Sequence, residues 1–165
     1  MNASLIDAFE FSRLKEHRQG ASAVADLPRL FKETVGDSGV IAWTLDGDAD
    51  SVGHPRLTLR IDGSVRLTCQ RCLSPLVFDV SGGAVLILAK DEEHADQIDE
   101  LLANDEIDVI VGAKSMSIVE LVEDEALLSI PLSVRHDVCP DALAGDVADV
   151  EKPSPFAALK DLKRS

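Results

Sequence analysis

Tyrosine is absent from this chain, tryptophan occurs once at Trp43, and aromatics make up 4% of the 165 residues. The interior must therefore be packed with aliphatic side chains, and an apolar content of 45% is enough for one domain with a real core but not for two. Long apolar runs are missing too. None approaches the roughly 18 residues that span a bilayer, and Asp7 and Glu10 stand where a secretory signal carries lysines and an apolar stretch. No membrane association is expected, and the expected compartment is the cytoplasm. Cysteine is scarce, with three in all. An odd number in a reducing compartment argues against a disulfide framework and toward metal or redox use. Cations are scarce as well: 16 Lys and Arg against 30 Asp and Glu give a formal charge of −14. Such a surface repels phosphate backbones and attracts basic macromolecules. The expected partner is a basic protein rather than bare nucleic acid.

The acids are unevenly placed. Residues 91–108 contain nine carboxylates and no lysine or arginine, and residues 137–151 contain five more; such runs read as a solvated linker and an acidic tail. The organisation expected is one α+β domain over residues 1–136 with an irregular N-terminal segment, followed by an acidic tail over residues 137–165. That tail ends in "PSPFAALKDLKRS". Ser154 and Pro155 suit a helix start, Phe156, Leu159 and Leu162 line one side, and Lys160, Lys163 and Arg164 suit the helix end. This reads as a short amphipathic docking helix on a tether.

Within the domain, Leu27, Leu30 and Phe31, with Asp26 and Pro28, fit the opening of a short helix capped by the aspartate. "GVIAWTLDGD" reads as a strand with Trp43 in the core. In "HPRLTLRIDGSVRLTCQRC", Leu57, Leu59 and Ile61 alternate with polar residues, and so do Val65, Leu67 and Cys69, which predicts a hairpin. A two-residue Asp62-Gly63 loop would oppose Leu59 with Arg66. A three-residue loop of Ile61, Asp62 and Gly63 opposes Leu59 with Val65 and Leu57 with Leu67, and is preferred. It gathers Arg56, Arg60 and Arg66 into a stripe on the other face, a candidate contact for phosphate or for an acidic segment. Beyond Pro75 the alternation of Leu76, Phe78 and Val80 predicts another strand, continued by "GGAVLILA" with a bend or bulge at the glycines.

"DVIV" reads as a short strand, and "SMSIVELVEDEALLSIP" as the main helix, over residues 116–130. Ser117 and Glu120 form a capping box, and Pro131 ends the helix by forcing Ile130 out of helical geometry. On a helical wheel Glu120, Glu123 and Asp124 fall outside the apolar arc and Glu125 inside it. A carboxylate removed from water needs a partner, and Arg71 or Arg135 is expected to supply one.

Cys69 and Cys72 form C-x2-C, and His136 and Cys139 form H-x2-C about 65 residues later. Zinc takes four tetrahedral thiolate and imidazole ligands, and a knuckle can supply two of them while a distant loop supplies the others. A structural zinc in a Cys3His site is one reading, with Arg71 offsetting its negative charge. Thiols without a ligand and a redox pair are the others, although a redox pair belongs at a helix N-terminus and these thiols fall between strands. Other catalytic constellations are thin: His17, His54 and His94 lack recognisable partners, and there is no phosphate loop or calcium loop. No enzymatic activity is expected.

Three blocks, "TCQRCLSPLVFDV", "VEDEALLSIPLSVRHDVC" and "PSPFAALKDLKR", resemble in order and separation the bacterial YceD family of large ribosomal RNA subunit accumulation proteins. The positions that carry the likeness are Cys69, Arg71, Cys72, Glu123, Asp124, Glu125, Pro131, His136 and Cys139. Ser154 replaces the asparagine of the family's terminal motif, and both residues cap helices. The resemblance implies a role in 23S ribosomal RNA accumulation and no catalytic activity. Together with the charge it suggests a factor that holds a basic ribosomal or assembly protein. Any direct RNA contact would be confined to the arginine stripe.

Overall fold

The computed structural model describes residues 4–36, 39–104 and 106–140. In chain order the elements are β1 (Leu5–Ile6), α1 (Ala8–Arg13), β2 (His17–Ala23), a 3-10 turn (Val24–Asp26), α2 (Pro28–Glu33), β3 (Val40–Ala49), β4 (Pro55–Thr68), β5 (Pro75–Ala89), α3 (Glu92–Leu102), β6 (Ile107–Val111), β7 (Met116–Ser117) and α4 (Ile118–Ser129). The fold is α+β. A five-stranded sheet in the order β2-β3-β4-β5-β6 is antiparallel except for its last pair. β5 and β6 run parallel, which requires a crossover, and α3 supplies it. β1 and β7 form a separate two-stranded pair.

Period-two alternation decides which face of the sheet is covered. Leu57, Leu59, Ile61, Val65 and Leu67 of β4 are buried while Arg60, Asp62, Ser64 and Arg66 are exposed. On the covered face these residues meet Phe11 of α1, Leu30 of α2, and Ile118, Val122 and Ala126 of α4 in one core. The other face is covered only near β6, where Ala95 and Ile98 of α3 pack on Ile87 and Ala89. Burial on both faces is why the end of β5 reads as an unbroken apolar run.

The expected hairpin at Asp62-Gly63 is not formed. β4 is one continuous strand, and its partners are β3 on one side and β5 on the other. Identical parity on both sides of residue 62 fits a straight strand as well as a three-residue loop, so alternation alone could not separate them. Gly63 is absent from the positive-φ positions that such a loop needs. Its lack of a side chain serves a close approach instead, because a Cβ there would collide with the backbone of Val40 and Ile41. The expected bulge at Gly82-Gly83 is also absent, since both pair in register with Ile61 and Arg60. A Cβ on Gly82 would come within 2.7 Å of Glu125 Oε1 and Ser129 Oγ, so this glycine is where α4 sits down on the sheet.

Four further expectations are corrected. The N-terminal segment is not irregular but contributes β1, α1 and β2, with Asp7 capping α1 through the backbone N–H groups of Phe9 and Glu10. The acidic stretch after Asp91 is not a linker but largely α3, N-capped by Asp91 and seated by Ala95 and Ile98. α2 forms where expected but receives no cap from Asp26. Trp43 is partly buried rather than enclosed: it lies over Gly20 and donates its indole N–H to Ser22 at 3.2 Å. The ends of α4 fall close to where they were read: Ser117 accepts from the Glu120 N–H at 3.3 Å, the N-cap half of the expected capping box, and Ile130 is extended at ψ 123° ahead of Pro131.

Among the described residues no helix is long and apolar enough to cross a membrane. Phe156, Leu159 and Leu162 of the expected docking helix lie outside the described residues. The folded part extends past residue 136, because Cys139 is 4% exposed and packs against Cys69.

Replacing Gly63 with valine is expected to destabilise the protein by about 1–3 kcal/mol through collision with the β3 backbone. Chemical denaturation is the measurement; an unchanged midpoint would mean that β3 does not approach β4 this closely.

Candidate metal centre

β4 and β5 are joined by residues 69–74, and the backbone of this turn closes on itself. The Cys69 N–H donates to Ser74 O and the Leu73 N–H to Cys69 O, each at 2.9 Å, with Leu73 in the left-handed region at φ 60°. Pro75 then opens β5. The turn projects Cys69 into the interior, where it is fully buried, and leaves Cys72 half-buried. The second pair arrives from the far end of α4. Pro131 stops that helix, and the chain crosses to the turn, where the Gln70 N–H donates to Val134 O at 2.9 Å. His136 and Cys139 follow directly.

The four donors converge. Cys69 Sγ lies 3.9 Å from Cys139 Sγ and Cys72 Sγ 3.4 Å from His136 Nδ1. No two of the four ligand atoms are more than 4.8 Å apart. Tetrahedral zinc, with Zn–S of about 2.3 Å and Zn–N of about 2.0–2.1 Å, sets donors roughly 3.8 Å apart for two sulfurs and roughly 3.5 Å for sulfur and nitrogen. The two pair distances match those edges. All three cysteines are free, and a sulfur separation of 3.9 Å is well beyond a disulfide bond. The group is close enough to bind a metal ion.

Its electrostatics favour charged sulfur at the centre. Burial opposes the Cys69 thiolate, yet the backbone N–H groups of Cys72, His136 and Arg71, joined by the His136 side chain, bring its pKa down to about 5. The Arg71 and His136 N–H groups each reach Cys69 Sγ at 3.4 Å. Cys72 is lowered by the Ser74 backbone N–H. Cys139 is pushed up by burial and then by its sulfur neighbours. His136 is raised by Cys69 and further by Cys72. Arg71 assists through its backbone; its exposed guanidinium has no hydrogen-bonding or ionic partner among the described residues.

The Glu-Asp-Glu stretch of α4 has a different task from the one expected. Glu125 meets no arginine among the described residues; it lies half-buried against Gly82, and its pKa is raised by desolvation. The buried carboxylate is Glu123, 3% exposed. Its Oε1 accepts from the backbone N–H groups of Arg29 at 2.6 Å and Leu30 at 3.1 Å, and its Oε2 from Arg29 Nε at 2.8 Å. Glu123 is thus the N-cap that α2 lacks in its own sequence, supplied across the core from α4. Arg29 also holds Asp124 at 2.6 Å. Sequence reasoning missed Arg29. The available signal was Pro28 at the first helical position with Leu27 before it, a helix start with no polar side chain to cap it.

The arginine stripe does not exist as drawn. Arg56 is bound through two hydrogen bonds of 2.6 Å to Asp48. Arg60 and Arg66 are exposed and unpaired among the described residues, but six positions apart on one strand they are about 20 Å from each other. The histidines do have partners: His17 Nδ1 lies 2.6 Å from Asp46, His54 Nδ1 2.8 Å from Asp50, and His94 Nδ1 accepts from the Lys90 N–H at 3.2 Å.

Fold and site together define a small α+β domain whose longest hairpin turns on a Cys3His donor cluster. The sequence profile described as "Large ribosomal RNA subunit accumulation protein YceD" matches residues 57–163, more than half of the chain. The protein belongs to the YceD family. The matched region takes in the whole donor cluster and Glu123. No solved structure matches the chain.

The pKa of Glu123 is lowered: desolvation opposes this, but the Leu30 N–H and then Arg29 outweigh it. A carboxylate held below its ordinary value contributes stability that is complete above that value and disappears as pH falls through the folded one. Glu123→Gln is therefore expected to cost about 1.5–3 kcal/mol at neutral pH, and the gap from the parent should narrow below about pH 4. Urea denaturation across that range is the check. A gap independent of pH would mean that the carboxylate charge is not what α2 requires.

Proposed function

We propose that this protein is a non-catalytic cytoplasmic factor that supports 23S ribosomal RNA accumulation by holding or delivering a basic ribosomal or assembly protein. The family name carries the link to large-subunit RNA. What favours a protein intermediary is the disposition of charge. A chain of net charge −14 shows no concentrated basic surface among these arginines of the described residues: Arg56 of β4 and Arg29 of α2 are tied to carboxylates, and Arg60 and Arg66 stand far apart. Direct RNA binding needs several cations converging on neighbouring phosphates.

Zinc is the ion we assign to Cys69, Cys72, His136 and Cys139, in a structural role. Four protein donors close the coordination shell, leaving no position for substrate or water. The bound ion would supply a cross-link between the β4–β5 turn and residues 131–140. The redox alternative is disfavoured because Cys69, the thiol with the most depressed pKa, is fully buried and sits in a strand-to-strand turn.

Elemental analysis should find one zinc per chain. Cys139→Ser should release it, and hydrogen exchange should then rise in residues 132–140 while the centre of β4 stays protected. A metal-free purified protein with a fully protected 132–140 segment would overturn the assignment. Affinity capture from a nuclease-treated lysate should retain an identified large-subunit ribosomal or assembly protein of basic composition. Retention of RNA alone, lost on nuclease treatment and falling steeply with salt, would favour direct RNA binding through Arg60 and Arg66.

A further inference from the structure

The sheet has two outer strands, β2 and β6. β6 is bonded to β5 on one side only. The Gly112 N–H donates to Ala89 O at 2.9 Å. Backbone groups alternate in direction along a strand, so Asp108, Ile110 and Gly112 face β5, and Val109 and Val111 turn their N–H and C=O groups outward. No described residue pairs with those outward groups. A row of open donors and acceptors is a template on which another extended chain can pair.

The two edges differ in charge. β2 reads His-Arg-Gln-Gly-Ala-Ser-Ala and carries no acid. β6 carries Asp108 and follows α3, and residues 91–108 hold nine carboxylates without a lysine or arginine. The α3 carboxylates have no ion-pair partner among the described residues. Val111 is 36% exposed and Leu101 of α3 is 79% exposed, so the same unit also offers apolar surface. Acids beside a β edge discourage pairing with a like chain and favour a chain of opposite charge.

We propose that the outer edge of β6, at Val109 and Val111, pairs with an extended lysine- and arginine-rich segment of a partner protein, which adds a sixth strand to the sheet. This rests on the reading of a basic protein partner and gives that reading a location. The main-chain pairing would supply the geometry, and α3 the preference for cationic side chains.

The test uses the full chain and a synthetic peptide of alternating lysine and threonine. Binding should slow amide exchange at Val109 and Val111 and leave β2 unchanged. Val111→Pro should weaken binding by about tenfold or more without altering the protection of Ile110, because the Val111 N–H takes no part in the ladder with β5 and its side chain lies outside both core clusters. The same peptide N-methylated at every second residue should lose affinity on the unmodified protein, a control that does not depend on the variant folding. Equal binding of the methylated peptide, or protection appearing at Gln19 and Ala21, would overturn the edge assignment. If the peptide fails to bind while the lysate capture still retains a basic protein, the edge is wrong and the partner reading stands. If both fail, the partner reading falls as well.

Discussion

The rest of the structure depends on the register of β4 against β5. The ladder runs without interruption from Arg56 opposite Ile87 to Thr68 opposite Pro75, and its turn is the cysteine knuckle. A slip of one residue would carry Leu57, Leu59, Ile61, Val65 and Leu67 from core to solvent. It would also move Gly82 from beneath Glu125 and Ser129, where only a missing side chain admits α4. The seat of α4 in turn fixes where Pro131 releases the chain, and hence whether His136 and Cys139 reach Cys69 and Cys72. Two loops remote in sequence meet because one ladder sets the position of both.

That dependence explains which features could be read from the sequence. Donor chemistry is local: C-x2-C between two strand patterns and H-x2-C after a helix-ending proline are visible residue by residue, and the structure brings them together. α4 could be read from Ser117, Glu120 and Pro131 because its caps lie within its own sequence. The hairpin at Asp62-Gly63 could not be excluded, since the same parity describes a fourteen-residue strand, and the reason for the glycine is the backbone of another strand. Glu123 was placed outside the apolar arc and Glu125 inside it. The wheel knows nothing of α2, whose uncapped N-terminus draws Glu123 inward. α3 was read as a linker because seven carboxylates between Asp91 and Asp105 outweigh two buried apolar residues, Ala95 and Ile98, in any compositional reading.

The carboxylates fall into two populations. One is committed to the fold. Glu123 caps α2, Asp48 holds Arg56, and Asp50 folds the β3–β4 turn by accepting from the N–H groups of Val52, Gly53 and His54 at 2.7–2.9 Å. Burial opposes the charge on Asp50, but the His54 side chain and these N–H groups bring its pKa to about 2. These acids are engaged by partners within the fold. The second population, on α3 and around β6, has no such partners among the described residues. Nine carboxylates without a cation are therefore gathered in the stretch that ends beside one open strand edge, as steering of a basic chain would require.

A metal held by the donor cluster would have a narrower role than in the smallest metal-dependent domains. A domain of well under 50 residues has too little interior to fold without its ion, and there the binding energy of the metal is the folding energy. Here the aliphatic core runs from Ile6 to Ala126 and includes neither Cys69 nor Cys139, both of which are buried outside the main cluster. The sheet and its three core helices thus have their own source of stability. A metal bound there would act where the core reaches least: the knuckle with its exposed Leu73, and the segment after Pro131, where Val134 packs on the core but Leu132 and Val138 are exposed. Those residues are held by two backbone hydrogen bonds within the turn, one between the loops, the Arg71 and His136 N–H groups on Cys69 Sγ, and the four converging donors. An ion shared by the two loops would therefore decide whether this end of the molecule presents one surface or many.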